Sequence, residues 1–306
     1  MHKNGVVVAG DALMDMQFFV ENLPEQGGDE RIVDRQISTG GAAANTAVTL
    51  GRLGANTAFL GCMGRDNFAD QLSEQLRLSG VDTSMVQYGG ETGYTVDLID
   101  RQGERTMLSF RGASARTIEL NRSVKNRLSQ TAVFLVSGYL LTDEKQAKFV
   151  QQAADAVKKA GGLVALDPCP TVDKVPDEVL IKVLEKTDIL LPNAREMDII
   201  EKRAKKAAKA VPCTVLKRGE KGARLIMQKG FVLPSGETVS EDMTLDAKVE
   251  PLQAVDTTGA GDAFNAGLIA AMLKGDEPES WLTLACTTAG RCIVRPGATT
   301  NAMDAE

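Results

Sequence analysis

The sequence has little of the chemistry on which many enzymes depend. Among its 306 residues there is one histidine, His2, so histidine-based acid–base catalysis and metal centres built from imidazoles are largely excluded. The 5 cysteines are odd in number and form no CxxC pair, which argues against a disulfide framework or a zinc site and indicates a reducing compartment. Any catalysis must therefore come from carboxylates, basic side chains, hydroxyls, thiols or backbone amides.

Long hydrophobic runs and an excess of positive charge are also absent. No stretch of roughly 18 apolar residues occurs, and no signal-like segment precedes the first apolar run, so we expect a cytoplasmic protein that does not cross a membrane. The net charge of −6 leaves no global positive field for nucleic acid or an anionic membrane surface. An anionic ligand would have to be held by backbone amides, helix ends and a few basic side chains.

What the sequence does have is an alternation of short apolar runs and helical patterns. The runs are rich in Val, Ile and Leu without strict alternation, as in strands that are buried on both faces. They predict a single α/β domain over residues 1–306, with a doubly wound, mostly parallel sheet and helices on both faces. The predicted strands are Val6–Ala9, Thr57–Leu60, Val133–Val136, Leu163–Leu166, Ile189–Leu191 and Thr214–Leu216. The predicted helices include Phe68–Ser79, Asp143–Ala160 and Asp177–Glu185.

Two regions predict a small β-sheet inserted into the α/β core, at about residues 12–38 and 92–112. Each has the pattern of a hairpin, and the second closes on a turn around Gly103. Such a sheet would serve as a lid, as a dimer contact, or as both. Between residues 234 and 250 the chain is polar and turn-rich, which predicts an exposed hairpin or loop. The four strands predicted for the small sheet are Leu13–Val20, Arg31–Ser38, Tyr94–Asp100 and Arg105–Arg111.

Polar side chains occur where the predicted strands end. The carboxyl ends of parallel strands meet at one edge of an open α/β sheet, which is where such sheets bind ligands. We therefore expect these side chains to share one rim and to form part of a ligand site. The residues concerned are Asp11, Asp15, Ser137, Asp167, Asn193 and Lys217.

The segment most informative about chemistry is Asp256–Phe264, which leads into an almost wholly apolar helix. Gly259 and Gly261 relax steric limits, so that consecutive backbone N–H groups can converge on one point. At a helix N-terminus such amides stabilise the charge of a phosphoryl group. Asp262 would then accept a proton from an attacking alcohol, a modest demand because phosphoryl transfer depends mainly on positioning. The alternative is a glycine-rich turn that only caps a buried helix.

The segment Asp256-Thr-Thr-Gly-Ala-Gly-Asp262 resembles the C-terminal signature of the ribokinase-like (PfkB) family of carbohydrate kinases. Gly40-Gly-Ala-Ala-Ala-Asn-Thr-Ala47 resembles the family's N-terminal signature, and Asn193-Ala-Arg-Glu196 matches its Asn-x-x-Glu motif. The three segments lie in the family's order and spacing, and the likeness covers nearly the whole chain. The resemblance implies the ribokinase-like fold and ATP-dependent phosphorylation of a hydroxyl, expected to be primary, on a small sugar or sugar-like molecule.

The resemblance also assigns roles to matching residues. The implied catalytic groups are Asp262, as base, and Gly259, Ala260 and Gly261, as anion hole. The implied substrate contacts are Asp15, Gly40, Gly41 and Asn45, to which the predicted rim adds Asp11. At Gly41 a side chain would fill the pocket. For Gly40, a glycine needed only for entry into a helix is an equally good explanation.

Nucleotide and metal contacts follow from the resemblance in the same way. Asn193 and Glu196 are implied to organise Mg²⁺, largely through water, which suits an ion that keeps much of its hydration shell. Family members commonly use a monovalent cation such as K⁺, and Asp256 and Thr258 are implied to lie near it. The implied nucleotide-binding residues are Asn193, Lys217, Gly219, Gly222, Cys286 and Ala289.

The identity of the substrate stays open. Leu13 stands where the family often has Asn, and Ser137 ends a strand that is acidic in ribokinases, so both positions disfavour ribose. Arg111–Ala115 resembles the segment with which 2-keto-3-deoxygluconate kinases approach their acidic substrate, although an exposed strand-end arginine explains Arg111 equally well. A sugar-acid or nucleoside kinase is therefore an alternative, and a non-catalytic sugar- or nucleotide-binding protein is a more distant one. We also expect a homodimer formed through the lid sheet.

Overall fold

The computed structural model describes residues 3, 5–250, 252–294 and 297–298. His2 and the end of the Gly297–Thr300 segment lie outside the described residues. The strands are β1 (Val6–Ala9), β2 (Leu13–Val20), β3 (Ile32–Gly40), β4 (Thr57–Leu60), β5 (Cys62–Met63), β6 (Gln87–Tyr88), β7 (Gly93–Ile99), β8 (Arg105–Phe110), β9 (Val133–Ser137), β10 (Leu163–Asp167), β11 (Ile189–Leu190), β12 (Cys213–Lys217), β13 (Ala223–Met227) and β14 (Met243–Ala247).

Eight α-helices occur within these described ranges. The longer ones alternate with strands of the main sheet, as the sequence predicts. Short 3-10 helices cover Gly112–Ala115, Gly138–Thr142, Pro170–Lys174 and Gly219–Lys221. The α-helices are α1 (Ala42–Arg52), α2 (Asn67–Leu78), α3 (Arg122–Gln130), α4 (Glu144–Lys159), α5 (Asp177–Leu184), α6 (Ala194–Ala210), α7 (Ala260–Lys274) and α8 (Pro278–Ile293).

The main sheet, within the described part of the chain, has eight strands in the order β14-β13-β12-β11-β10-β9-β1-β4. The six strands from β12 to β4 are parallel, and β13 and β14 run antiparallel at one edge. The prediction of an exposed loop or hairpin over residues 234–250 is therefore wrong in part, because β14 belongs to the main sheet. The residues of β14 alternate between half-buried and exposed, as at a sheet edge. Their polar composition therefore resembled that of a loop.

Two hydrophobic cores lie on opposite faces of the main sheet. Successive residues of β1 point to opposite sides, so that Val6 and Val8 contribute to one core and Val7 and Ala9 to the other. Helices α1, α2, α7 and α8 cover the first face, and α3 to α6 cover the second. This is the doubly wound arrangement that the apolar runs predict. No described helix is long and apolar enough to cross a membrane.

A separate four-stranded sheet has the order β3-β2-β7-β8, and we call it the lid sheet (residues 13–40 and 93–110). It consists of two antiparallel pairs, β2–β3 and β7–β8, joined by parallel pairing of β2 with β7. Because side chains alternate along each strand, Asp15, Thr95 and Ser109 share the face toward the main sheet. The predicted fold class, a large parallel sheet with a small additional one, is confirmed.

Candidate active site

The glycine-rich segment forms a turn that opens onto helix α7. Gly259 adopts a left-handed conformation at φ +76° and is the residue from which α7 begins. The N–H groups of Gly259, Gly261 and Asp262 have no acceptor within the described residues, whereas Ala260 donates its N–H to the Thr257 carbonyl at 3.2 Å. We call Thr258–Gly261 the anion turn. Of the three amides predicted to form the anion hole, those of Gly259 and Gly261 are thus unpaired and that of Ala260 is already used, while Asp262 adds an unpaired amide that was not predicted.

The two glycines of the anion turn meet different surroundings. A Cβ atom built on Gly259 would lie 2.6 Å from the Cβ of Ala298, and its φ disfavours any L-residue. A Cβ on Gly261 would meet only the Nζ of Lys217, at 3.7 Å. Gly259 is therefore required by the protein's own packing, while Gly261 faces open space. The sequence treated both glycines alike.

Asp262 lies in the first turn of α7 with its carboxylate facing a cavity. Burial raises its pKa well above the ordinary range, and the charge of Asp167 adds to the effect. Asn45 opposes the rise by donating from Nδ2 to the Asp262 carboxylate at 3.1 Å. Desolvation therefore makes this carboxylate a stronger base than an aspartate at the surface. The sequence missed that Asn45, predicted as a substrate contact, holds Asp262.

Three polar side chains form a buried network behind Asp262. Lys217, at the end of β12, donates to the Asp167 carboxylate at 3.1 Å and to the amide oxygen of Asn265 at 3.3 Å. Asn265, which is 0% exposed, donates to the other oxygen of Asp167 at 2.9 Å. Burial alone would lower the pKa of Lys217, but Asp167 and Glu196 outweigh it and raise that pKa. Lys217 therefore stays protonated and presents a fixed positive charge.

The predicted magnesium pair, Asn193 and Glu196, forms the N-terminal capping box of α6. The Asn193 side chain accepts from the Glu196 N–H at 2.9 Å, and both oxygens of Glu196 accept from Asn193 at 2.8 Å. Burial raises the pKa of Glu196, while Lys217 opposes the rise. The described residues hold no group of three or more His, Cys, Asp and Glu side chains arranged to hold a metal. Cap formation is thus a structural role that the sequence reasoning did not consider for this pair.

Asp11 and Arg111 form an ion pair at the mouth of the cavity. Arg111 Nη1 lies 3.4 Å from an oxygen of Asp11, and the Arg111 guanidinium stacks on the ring of Tyr139 at 4.9 Å. The Ser137 hydroxyl lies 3.4 Å from the other Asp11 oxygen. Asp11 is 2% exposed. Both predicted residues are therefore present in the site, and each already has a partner.

Asp15 is placed on the lid sheet, with its carboxylate accepting from the Thr95 hydroxyl at 2.9 Å. Burial raises the pKa of Asp15 to about 6, against the opposing hydrogen bond from Thr95. Gly40 lies on the neighbouring strand β3, where it pairs with Leu13, and a Cβ there would lie 2.0 Å from an Asp15 oxygen. Gly40 does not line the cavity; it leaves room for Asp15. Gly41, at φ +93°, does line the cavity, but its Cβ would strike the Asp11 carbonyl, so its requirement comes from backbone packing.

Two cavities meet at the anion turn. The larger, of about 790 Å³, is lined by many polar and charged side chains, which include Asp11, Asp15, Asp262 and most of the other predicted substrate and metal residues; we call it the polar cavity. The smaller, of about 430 Å³, has a mostly apolar lining that includes the predicted nucleotide residues Gly219, Gly222, Cys286 and Ala289 together with Ala260. Both cavities are lined by Lys217, Gly219 and Gly261.

Gly222 has a further structural requirement. At φ +78°, its Cβ would lie 1.9 Å from the Ala247 carbonyl, where β14 passes.

The predicted cation residues also have internal partners. Asp256 accepts from the N–H groups of Thr258 and Gly297, which lower its pKa although burial opposes them. The Thr258 carbonyl accepts from the Cys292 thiol at 3.4 Å. Asp256 does not line either cavity.

Several residues of the site were missed by the sequence reasoning. Asp167 was expected on the rim but was given no role, and Asn265 lies inside an apolar helix pattern where nothing singled it out. Thr95, Tyr139 and Arg105 line the larger cavity or hold residues that do. Asn265 is a polar residue in a fully buried stretch of α7, and that isolated polarity was the one signal available.

Comparison with known proteins identifies the class. A family model described as pfkB family carbohydrate kinase matches residues 3–305. A ribokinase of Arabidopsis thaliana is 29% identical over 303 residues, covering 97% of this chain and 78% of that relative. A fructokinase of Salmonella typhimurium is 29% identical over 319 residues, with coverage of 96% and 95%. A nucleoside kinase of Methanocaldococcus jannaschii is 27% identical over 305 residues, with coverage of 97% and 92%.

Solved structures agree with the sequence relatives. The structure of Arabidopsis thaliana ribokinase complexed with ribose and ATP matches at a TM-score of 0.82 and 27% identity, covering 97% of this chain and 95% of that one. This chain belongs to the pfkB family of carbohydrate kinases. The predicted family and the predicted enzyme class, a phosphotransferase with an alcohol group as acceptor, are confirmed.

Proposed function

We propose that the protein transfers the γ-phosphoryl group of ATP to a hydroxyl of a neutral sugar or sugar-like molecule, with Asp262 as the base. The observation that carries the proposal is the junction of the two cavities at Gly261 and Lys217, beside Asp262. The apolar cavity suits an adenine ring, the polar cavity suits a polyhydroxylated acceptor, and the phosphates would cross the residues that both share. The ATP found with the ribokinase relative is consistent with this assignment.

In the proposed reaction, the acceptor hydroxyl gives its proton to the Asp262 carboxylate. The acceptor oxygen forms a bond to the γ-phosphorus, and the bond from that phosphorus to the β–γ bridging oxygen breaks, releasing ADP. The unpaired N–H groups of Gly259, Gly261 and Asp262 would stabilise the charge on the phosphoryl oxygens. Lys217, kept charged by Asp167 and Glu196, would lie along the phosphate chain.

Magnesium fits this site only as an ion held chiefly by phosphate and water. Asn193 fixes the Glu196 carboxylate by donating to both of its oxygens, and this carboxylate lines the larger cavity. Its remaining lone pairs would accept hydrogen bonds from metal-bound water. When bound, Mg²⁺ supplies positive charge to the β- and γ-phosphates. K⁺ near Asp256 and Thr258 remains a prediction that main-chain oxygens would have to satisfy.

The acceptor is proposed to be neutral because three of the four basic side chains that line the larger cavity, Arg105, Arg111 and Lys217, are already paired with carboxylates, and Lys174 alone has no ion pair among the described residues. Arg111 pairs with Asp11, and Lys217 pairs with Asp167. A sugar acid is the second candidate, since Arg111 lines the cavity and could exchange Asp11 for a substrate carboxylate. A nucleoside acceptor is supported by the names of relatives, such as the nucleoside kinase of Methanocaldococcus jannaschii.

The test is ADP release by the purified protein with ATP, Mg²⁺ and a panel of sugars, sugar acids and nucleosides. We expect turnover with a neutral sugar well above the rate without acceptor. Turnover confined to sugar acids would move the assignment to the second candidate. Binding of both ligands without ADP release anywhere in the panel would contradict a kinase and support the non-catalytic alternative.

We further propose a single domain in which the lid sheet closes over the cavity and pairs two copies of the chain. The face of the lid sheet away from the cavity exposes apolar side chains, Ile37 at 46%, Leu108 at 64% and Phe110 at 43%. Cross-strand register places these residues on one face. Light scattering should show a dimer for the wild type and a monomer for Leu108→Glu. A wild-type monomer at micromolar concentration would contradict the dimer.

A further inference from the structure

One side chain of the lid sheet is bonded to the anion turn. Arg105, the first residue of β8, donates from Nη1 to the Thr258 hydroxyl at 3.0 Å. Thr258 directly precedes Gly259, the left-handed residue from which α7 starts. Within the described residues, no other lid-sheet side chain is hydrogen bonded to residues 256–262. The structure therefore has one direct polar link between the sheet that carries Asp15 and the turn that carries the unpaired amides.

The Arg105 guanidinium is fixed by a buried partner. Its Nη2 group forms an ion pair with Asp97 on the neighbouring strand β7, and Asp97 is 0% exposed. A carboxylate buried this deeply requires a cation, so the pair holds one arm of the guanidinium in the lid sheet. The other arm is left to reach Thr258. The planar fork of arginine suits this double attachment, which a lysine could not make.

The Thr258 main chain is held by Asp256 and Cys292, but among the described residues no hydrogen bond restrains the N–H groups of Gly259, Gly261 and Asp262. Gly259 and Gly261 give this segment more conformational freedom than other residues would, yet stabilisation of a transferring group requires donors held within about 0.5 Å of the productive position. Thr258 lines the larger cavity together with Gly259 and Gly261, and its side chain is the part of the turn that is hydrogen bonded to the lid sheet. A hydrogen bond to the Thr258 hydroxyl restrains Thr258, the residue that directly precedes the unpaired amide of Gly259.

We propose that Arg105 is a positioning residue that orients the anion turn through Thr258 and so couples the position of the lid sheet to phosphoryl transfer. The inference rests on the proposed function. When the lid sheet lies over an acceptor held by Asp15, Arg105 aligns the turn. When the lid sheet moves away, the bond to Thr258 is lost and the amides are released. Alignment would thus follow acceptor binding, which limits transfer to water.

The test is a set of turnover measurements on the best acceptor of the panel. Arg105→Gln and Thr258→Val should each lower kcat about 30-fold, the scale of one charge-assisted hydrogen bond, and should leave the KM for ATP within about 3-fold of wild type. The double variant Arg105→Gln/Thr258→Val should be no slower than the slower single variant, because both remove the same link. Thr258→Ser keeps the hydroxyl and should keep the activity.

Two controls separate positioning from folding. Arg101 lies in the same β7–β8 hairpin and pairs with Glu21 at the surface, so Arg101→Gln should match wild type. Asp97→Asn/Arg105→Gln removes both charges, so that no unpaired carboxylate is buried, and should remain as slow as Arg105→Gln. Hydrogen exchange in a peptide covering residues 257–262 should rise in Arg105→Gln and not in Arg101→Gln.

The outcomes are distinguishable from those of the proposed function. If the wild-type protein turns over any acceptor, the proposed kinase activity is supported. Near wild-type turnover of Arg105→Gln would then overturn the coupling alone. So would additive losses in the double variant, or recovery of activity in Asp97→Asn/Arg105→Gln. If no acceptor is turned over, unchanged hydrogen exchange in Arg105→Gln would still contradict the link to the turn.

Discussion

The two walls of the larger cavity are built by different means. The wall from the α/β body consists of the main-chain amides of the anion turn together with Asp167 and Lys217, which form a buried hydrogen-bonded network with Asn265 behind them. The wall from the lid sheet consists of side chains at alternate strand positions, such as Asp15 and Arg105. The difference suggests a division of work in which the body supplies the chemistry and the lid sheet selects and encloses the acceptor.

Loss of the base is the largest expected effect. Asp262→Asn keeps the shape and the hydrogen bond from Asn45 but removes the proton acceptor, so we expect kcat to fall about 10³-fold. The melting temperature should be unchanged or slightly higher, because the substitution removes a carboxylate that is desolvated in the folded state. Turnover assays and calorimetry check the two parts. A kcat within a factor of a few of wild type would remove Asp262 from the mechanism.

Substitutions of the two glycines of the anion turn should separate effects on folding from effects on catalysis. Gly259→Ala should lose roughly 2–4 kcal/mol of unfolding free energy, from left-handed strain and overlap with Ala298. Gly261→Ala should fold at least as well as wild type, because its nearest neighbour atom is 3.7 Å away. It should nevertheless lower kcat about 100-fold, since the methyl group fills the join between the cavities.

Denaturant titration and turnover assays measure the contrast between the two glycine variants. Equal destabilisation by both would mean that Gly261 is also constrained by packing. Full activity of Gly261→Ala would mean that phosphate does not pass this point. Either result would remove the distinction between the structural and the functional glycine.

The smallest expected effect is a pH dependence of the acceptor KM that arises from Asp15 on the lid sheet. In the proposed function, ionised Asp15 accepts hydrogen bonds from hydroxyl groups of the acceptor. Its pKa is raised to about 6, so the KM for the acceptor should be about 10-fold higher at pH 5 than at pH 7. Because the folded-state pKa exceeds the ordinary value, the stabilising contribution of Asp15 is present at low pH and is lost as pH rises through 6. The unfolding free energy of Asp15→Asn relative to wild type should therefore increase from pH 4 to pH 7.

Kinetic and urea-unfolding measurements across this pH range check the assignment, with Asp15→Asn as the control for the KM. A KM for the acceptor that does not change with pH in wild type would place the acceptor away from Asp15. A pH dependence that persists in Asp15→Asn would assign it to another group, such as Asp262.

The sequence predicted the main strands almost to the residue, because a strand buried on both faces of a parallel sheet leaves an unmistakable apolar run, as in Val6–Ala9. It predicted that Asp11, Asp167, Asn193 and Lys217 lie together because the ends of parallel strands converge, but Asp15 reaches the same cavity from strand β2 of the lid sheet. It could not predict the edge strand β14, whose half-exposed residues resemble a loop.

The sequence was also silent on contacts between distant segments. Asn45 and Asp262 are 217 residues apart in the chain, and Arg105 and Thr258 are 153 apart. Nothing local to either residue of such a pair signals its partner. The reason for Gly40 is of the same kind, since its missing side chain makes room for Asp15 on an adjacent strand. Residue types located the site, but only the fold showed how its parts are held.

The most direct test of the account is a crystal structure with a non-hydrolysable ATP analogue and the preferred acceptor. The account predicts the γ-phosphoryl group about 3 Å from the amides of Gly261 and Asp262, with an acceptor hydroxyl within hydrogen-bond distance of the Asp262 carboxylate. A nucleotide whose phosphates point away from Gly261, or an acceptor that leaves Asp262 without contact, would contradict it.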